Sequence, residues 1–199
     1  MSNALERYLS ILKKETVEFI DNVDKKPYYE AAELIYKSQE NGGRVHITGI
    51  GKPAHVAGYA ASLFSSVGIP TYFLHGTEAV HGSCGQLESG DVIICISNSG
   101  ETVEMKSTAI AIRNNGGKII GITGNPESWL AKFSDVHLFA GVTEEGGPLN
   151  RAPRASIVAE TIALQILSVI LQEHCAITPE QYVMRHPGGA LGKLRDNEK

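Results

Sequence analysis

Asp91-Val-Ile-Ile-Cys-Ile runs straight into Ser97-Asn98-Ser99-Gly100-Glu101-Thr102. An apolar, strand-like segment there empties into a hydroxyl-rich turn ahead of a helical pattern. Free backbone N–H groups at a helix start and Ser/Thr hydroxyls at a strand's carboxyl end can surround a phosphate without any lysine. The same residue types also cap helices, so an N-capped helix after a buried strand stays open as the plainer reading. Three further clusters carry chemistry. Gly49-Ile50-Gly51-Lys52-Pro53 follows another strand-like run. It lacks the spacing of a Walker loop and the later acidic residue of a dinucleotide fingerprint, which leaves Lys52 as a cation at a strand end or as a solvated surface lysine. Thr143-Glu144-Glu145-Gly146-Gly147-Pro148 offers paired carboxylates for proton transfer, or a solvated loop. His186-Pro187-Gly188-Gly189 holds an imidazole before a stiff turn, unusual for a frayed terminus.

The elements that must position these groups follow from periodicity. Leu5, Leu9, Leu12, Val17 and Ile20 recur at helical spacing, as do Ala31, Leu34 and Ile35 beyond Pro27, so the chain opens with two helices. From Arg44 onward β-branched runs alternate with helical stretches. Strands are predicted at 45–48, 71–74, 92–96, 118–123 and 136–139, and helices near 54–67, 102–114, 126–133 and 154–174. Near-continuous apolar strands alternating with helices imply a parallel sheet covered on both faces. Gly/Asn breaks at 41–43, 114–117 and 146–148 are too short for linkers. The chain therefore reads as one domain over 1–199, with helices in 1–40, an α/β core over 44–175 and a terminal segment at 178–194.

The 199 residues suffice for a substantial core, and a formal net charge of -4 with no Lys/Arg cluster argues against nucleic acid. No signal-peptide layout opens the chain, and no apolar run approaches the roughly 18–20 residues that span a bilayer, so a cytoplasmic protein without a membrane partner is expected. Three cysteines at wide spacing suggest neither zinc nor redox work. Cys95 reads as a small buried apolar residue, and Cys84 as either buried or a thiolate near His81. His46 and His137 fall in strands and read as structural, whereas His81 beside Gly82 is the better pocket histidine. No histidine pair has metal-ligand spacing, so no metal is expected.

Taken together the motifs resemble the sugar isomerase (SIS) family, and within it the arabinose-5-phosphate isomerases. The landmarks are Gly49-Ile-Gly-Lys52, Glu78-Ala-Val-His81-Gly82, Ser97 to Thr102 with Glu104, Glu145 ahead of Pro148, and His186 to Gly192, in the family's order across residues 44–194. The resemblance implies a three-layer sandwich around a five-stranded parallel sheet with flavodoxin-like winding. It also implies a homodimer or homotetramer with active sites shared between subunits, and aldose–ketose isomerisation of a sugar phosphate through an enediol with no cofactor. Carried over by motif, Glu145 is the base, His186 opens the ring or shuttles protons, reaching a neighbouring subunit's pocket, Lys52 steadies the oxyanion, and Glu104 orders hydroxyls. Ser97, Asn98, Ser99 and Thr102 would hold the phosphate, with Gly51 and His81 lining the pocket.

Three departures bear on substrate choice. Pro53 replaces a common serine, Ser83 a common acid, and Arg154 stands in a segment usually rich in Ser and Thr. Arg154, with Arg151 nearby, is a surface pair or a seat for a second anionic group. The chain ends soon after Gly192, so the paired CBS domains that many such isomerases append are not expected. Arabinose 5-phosphate/ribulose 5-phosphate is the leading substrate pair. A non-catalytic phosphosugar sensor is the alternative, and epimerisation or lyase chemistry on an amino-sugar phosphate is a third reading.

Overall fold

The protein is described by a computed structural model over residues 3–198. Five strands form one all-parallel sheet in the order β2-β1-β3-β4-β5. They are β1 (Val45–Gly49), β2 (Thr71–Phe73), β3 (Val92–Ile96), β4 (Lys118–Thr123) and β5 (Val136–Phe139). Each central strand is buried on both sides, and in β3 the alternation of side chains divides the core. Val92, Ile94 and Ile96 pack on one face while Ile93 and Cys95 pack on the other. Against the first face lie α1 (Ala4–Asp21), α2 (Lys26–Glu40), α3 (Lys52–Ser66) and α7 (Ala155–Cys175). The second is covered by α4 (Gly76–Ala79), α5 (Val103–Asn114) and α6 (Trp129–Phe133).

The predicted strands and the long helices are therefore present, in the expected three layers. Differences fall where the sequence signal is short. The expected helix at 126–133 begins only at Trp129, because Ser128 caps it through a bond from the Ala131 N–H. Several short elements went unforeseen, among them α4, and α8 (Pro179–Arg185), whose Thr178 and Gln181 form a reciprocal capping box. Helix α7 spans 21 residues with a mean hydropathy of 1.7 over its most apolar window, so by length and composition it could cross a membrane, contrary to the expectation that no stretch would. In the fold its Ala159, Ala163, Leu164, Leu167 and Leu171 pack in the core, the ordinary fate of a central helix in such a sandwich.

The amino edge of the sheet is tied by one carboxylate. Asp91, fully buried, accepts bonds from the N–H groups of Arg44 (2.7 Å) and Glu88 (2.9 Å), from the Arg44 guanidinium (3.3 Å), and pairs with His46 Nε2 (3.2 Å). Burial works to raise the Asp91 pKa. The two backbone donors and the charges of Arg44 and His46 outweigh it and hold the group below the ordinary carboxylate range. For His46, burial wins over the Asp91 charge and lowers its pKa, and its Nδ1 has no partner. The strand histidine is thus structural, as its position suggests. Because the folded pKa of Asp91 lies below its unfolded value, its contribution is present above pH ~4 and is lost as pH falls through the lowered folded value. Asp91→Ala is expected to cost about 3 kcal/mol in urea unfolding followed by Trp129 fluorescence, since it strands several buried donors.

Candidate active site

In an open parallel sheet, ligands bind beyond the carboxyl ends of the strands, where neighbouring connections leave in opposite directions. Here that point lies between β1 and β3, since β2 was added on one side of β1 and β3 on the other. The turn after β3 sits at this crevice. Gly100 adopts φ +64°, and an added Cβ there would lie 2.1 Å from Ser128 Oγ, so only glycine fits. Its N–H donates to Ser97 O (2.9 Å), its carbonyl accepts from the Leu130 N–H (3.1 Å), and Asn98 O accepts from the Gly124 N–H (2.8 Å). Ser97 Oγ and Thr102 Oγ1 stand 3.2 Å apart, and Thr102, at the N-cap, makes no side-chain cap bond to its own helix. The plainer capping reading thus loses its main support. The helical ladder starts with Lys106 N–H donating to Thr102 O, so the N–H groups of the first turn have no intrahelical acceptor. Ser99 Oγ accepts from the Glu101 N–H, and Glu101 itself is engaged by Lys106 Nζ (2.5 Å) and the Trp129 N–H (2.7 Å).

On the other side of the switch point, Gly51 (φ +70°) turns the chain from β1 into α3, whose first residue is Lys52. Gly49 and Gly76 meet closely here, a Cβ on Gly76 approaching Gly49 O to 3.0 Å. Lys52 is exposed and, among the described residues, makes no ion pair. It borders an open groove of about 500 Å³ shared with His55, Tyr59, Pro153, Ile157 and Thr161. A smaller recess of about 230 Å³ beside it is walled by Gly51, His55, Phe73 and His75. Pro53 is the second residue of α3, where a missing N–H costs no helical bond.

The loop from β5 to α7 brings Glu145 to the same edge. Its Oε2 accepts from the N–H groups of Arg154 (2.5 Å) and Ser156 (3.2 Å) at the start of α7, while Oε1 has no hydrogen bond among the described residues. Asn150 Oδ1 accepts from the N–H groups of Glu145 (2.7 Å) and Gly146 (3.0 Å), closing the loop beneath it. Helix α1 braces this loop, a role that nothing in the α1 sequence announced. Glu15, buried, accepts from the Thr143 N–H (2.7 Å) and from the Thr143 hydroxyl, Arg7 lies 3.6 Å from Glu144, and Tyr8 and Ile11 press on Gly146. Burial works to raise the Glu15 carboxyl, but the two bonds from Thr143 and the charge of Lys14 prevail and lower it. One further acid was missed from sequence. Glu160, on α7 one turn beyond Ser156, is fully buried with both carboxylate oxygens unpartnered.

Residues 39–170 match the SIS domain family model. This chain belongs to the SIS family. Arabinose 5-phosphate isomerase KdsD of Pseudomonas aeruginosa is 39% identical over 166 residues, covering 83% of this chain and 50% of the relative. The protein of the same name from Francisella tularensis is 36% identical over 193 residues, covering 97% of this chain and 58% of the relative. The chain thus spans about half the length of the curated relatives it matches. Among solved structures, Escherichia coli CFT073 c3406, solved as a complex, superposes with a TM-score of 0.82 at 33% identity, covering 94% of this chain and 100% of that one.

The remaining sequence-derived positions of this SIS domain are less gathered. Glu104 lies exposed on the first turn of α5. His81 is exposed too, its N–H donating to Glu78 O (3.0 Å). Arg154 is exposed at the N-cap of α7 with its guanidinium lying over Gly147, and Arg151 is exposed nearby. His186 caps α8, stacks on Tyr182 at 4.1 Å and pairs through Nδ1 with Tyr182 O (2.9 Å). Within one subunit these contacts are to its own segment, not to Lys52, Ser97 or Glu145. Cys84 is buried and its thiol is pushed up by burial, and Cys95 is pushed up to about 12, so the thiolate reading of Cys84 is corrected. Gly100→Ala is expected to lower unfolding stability by about 2 kcal/mol, from the left-handed backbone and the Ser128 clash together, measured by chemical denaturation.

Proposed function

We propose that this SIS protein is an aldose–ketose isomerase of sugar phosphates acting through an enediol, with arabinose 5-phosphate and ribulose 5-phosphate as the leading pair. One observation carries the reading: the hydroxylated turn 97–102, with free first-turn N–H groups, shares one sheet edge with Lys52 and with a glutamate that has an unbonded oxygen. The P. aeruginosa and F. tularensis relatives, named for arabinose 5-phosphate isomerisation, support the same class.

In this reading the phosphate rests on Ser97, Asn98, Ser99 and Thr102 at the α5 amino end, where the helix dipole adds attraction. Lys52 faces the carbonyl oxygen as charge develops there. Glu145 Oε1 takes the proton from the carbon beside the carbonyl, an enediol forms, and the same proton returns to the adjoining carbon while an acid serves the oxygens. Proton movement alone completes the reaction, so no redox cofactor is required. His186 would supply ring opening from a neighbouring subunit, which fits its absence from its own chain's crevice. Glu104, His81, Gly51 and Arg154 complete the proposed sugar contacts.

A homodimer or homotetramer in the cytoplasm goes with this reading. Its support is the outer face of α1, where Leu5, Leu9, Val17 and Ile20 are each about half exposed or more, with Val169 on α7 and Met184 on α8 exposed as well. Incubation with a panel of aldose and ketose phosphates in deuterated water should give exchange at the carbon next to the carbonyl for one pair. Binding without exchange would instead make the chain a phosphosugar sensor. Glu145→Gln should lower kcat by roughly 10³-fold while sugar-phosphate affinity, read by calorimetry, changes less than about threefold. Full activity in that variant would remove Glu145 from the role of base.

A further inference from the structure

We propose that Glu160 is a positioning residue for Glu145: a neutral carboxylic acid buried one helical turn beyond the Ser156 amide that holds it. The functional consequence rests on the isomerase reading, but the pair itself does not. Glu160 has no exposed surface, and neither carboxylate oxygen has a partner. An ionised carboxylate in such surroundings is strongly disfavoured, whereas its protonated form needs far less solvation. Ser156, one helical turn before Glu160 on the same face of α7, is also fully buried with an unpartnered hydroxyl. That residue's N–H holds Glu145 Oε2 at 3.2 Å, so the two acids are linked through a single turn of helix.

Among the described residues the one charge that bears on the Glu160 carboxyl is that of Glu145, and the helices packed against α7 bring no partner to it. From α1 the buried group is Glu15, already bonded to Thr143, and from α2 it is Tyr28. From α3, Lys52 and His55 border the groove beside Ile157 and Thr161. None of them hydrogen-bonds to Glu160. Burial first, and the charge of Glu145 second, push the Glu160 carboxyl up to about 8. Through the neutral range Glu160 keeps its proton. Once Glu160 loses that proton at alkaline pH, a new negative charge stands beside the site of an anionic sugar phosphate and repels it.

The test combines infrared titration of the whole protein with steady-state kinetics. The wild type should show a protonated carboxyl C=O band at pH 7 that disappears around pH 8. Glu160→Gln should lack it, and in Glu145→Gln the band should titrate at lower pH because the like charge has gone. KM for the active sugar phosphate should rise roughly tenfold from about pH 7 to 9.5 in the wild type and stay within about twofold in Glu160→Gln. A wild type without the band at pH 7, or a midpoint unmoved in Glu145→Gln, overturns the pair. An alkaline rise in KM that persists in Glu160→Gln overturns its consequence for catalysis. Should no sugar phosphate be turned over, the isomerase reading fails while the infrared titration still decides the pair. Should Glu160→Gln not fold, the Glu145→Gln titration decides it.

Discussion

An all-parallel sheet whose central strands are buried on both faces constrains every other part of this molecule. The buried main-chain groups of β1, β3 and β4 must find partners within the fold, and most find them on neighbouring strands. Parallel pairing then forces the chain to return to the same starting edge each time, by a crossover helix. All strand-to-helix turns are thereby delivered to one edge and all helix-to-strand turns to the other. The clustering of Lys52, the 97–102 turn and the Glu145 loop is a consequence of that polarity before it is a matter of chemistry.

The two edges are finished differently. At the amino edge Asp91 concentrates charge in a closed, buried cluster with Arg44, Glu88 and His46, in which both of its own oxygens are bonded. At the carboxyl edge the polar groups are left open: Lys52 without an ion pair, Glu145 with one unbonded oxygen, and first-turn amides of α5 without acceptors. Open groups are tolerated there because solvent or a ligand reaches them, whereas a buried carboxylate such as Asp91 without its donors would cost several kcal/mol. The asymmetry separates the end that stabilises the fold from the end equipped to bind.

Rigid seats surround the open groups. Gly100 is fixed by bonds to Ser97 and Leu130, and Glu145 by amides of α7 and by the Asn150 loop closure. Helix α1 contributes at a distance through Glu15 and Thr143, while its outer apolar side stays uncovered in the single chain. The terminal segment carrying His186 likewise packs chiefly on itself. Because His186 stays with its own segment, the proposed mechanism calls on a second copy to supply it.

The amino-acid sequence by itself determined the layer order, the five strands and the position of the hydroxylated turn, because periodicity and glycine placement are local properties of the chain. It also carried the family motifs, which needed no geometry to be read. Short elements such as α4 and α8 escaped it, since a few residues give too little periodicity, and the stripe Leu5, Leu9, Val17, Ile20 announced a helix without saying what covers it. Only the tertiary structure decided that Glu145 is held by the amides of α7, that α1 braces its loop, and that Glu160 lies buried and unpaired below. In the sequence Glu160 is one polar residue in an apolar helix. Its unusual state arises from how far neighbouring helices exclude water and from the charge of a residue 15 positions away, quantities that exist only once the chain has packed.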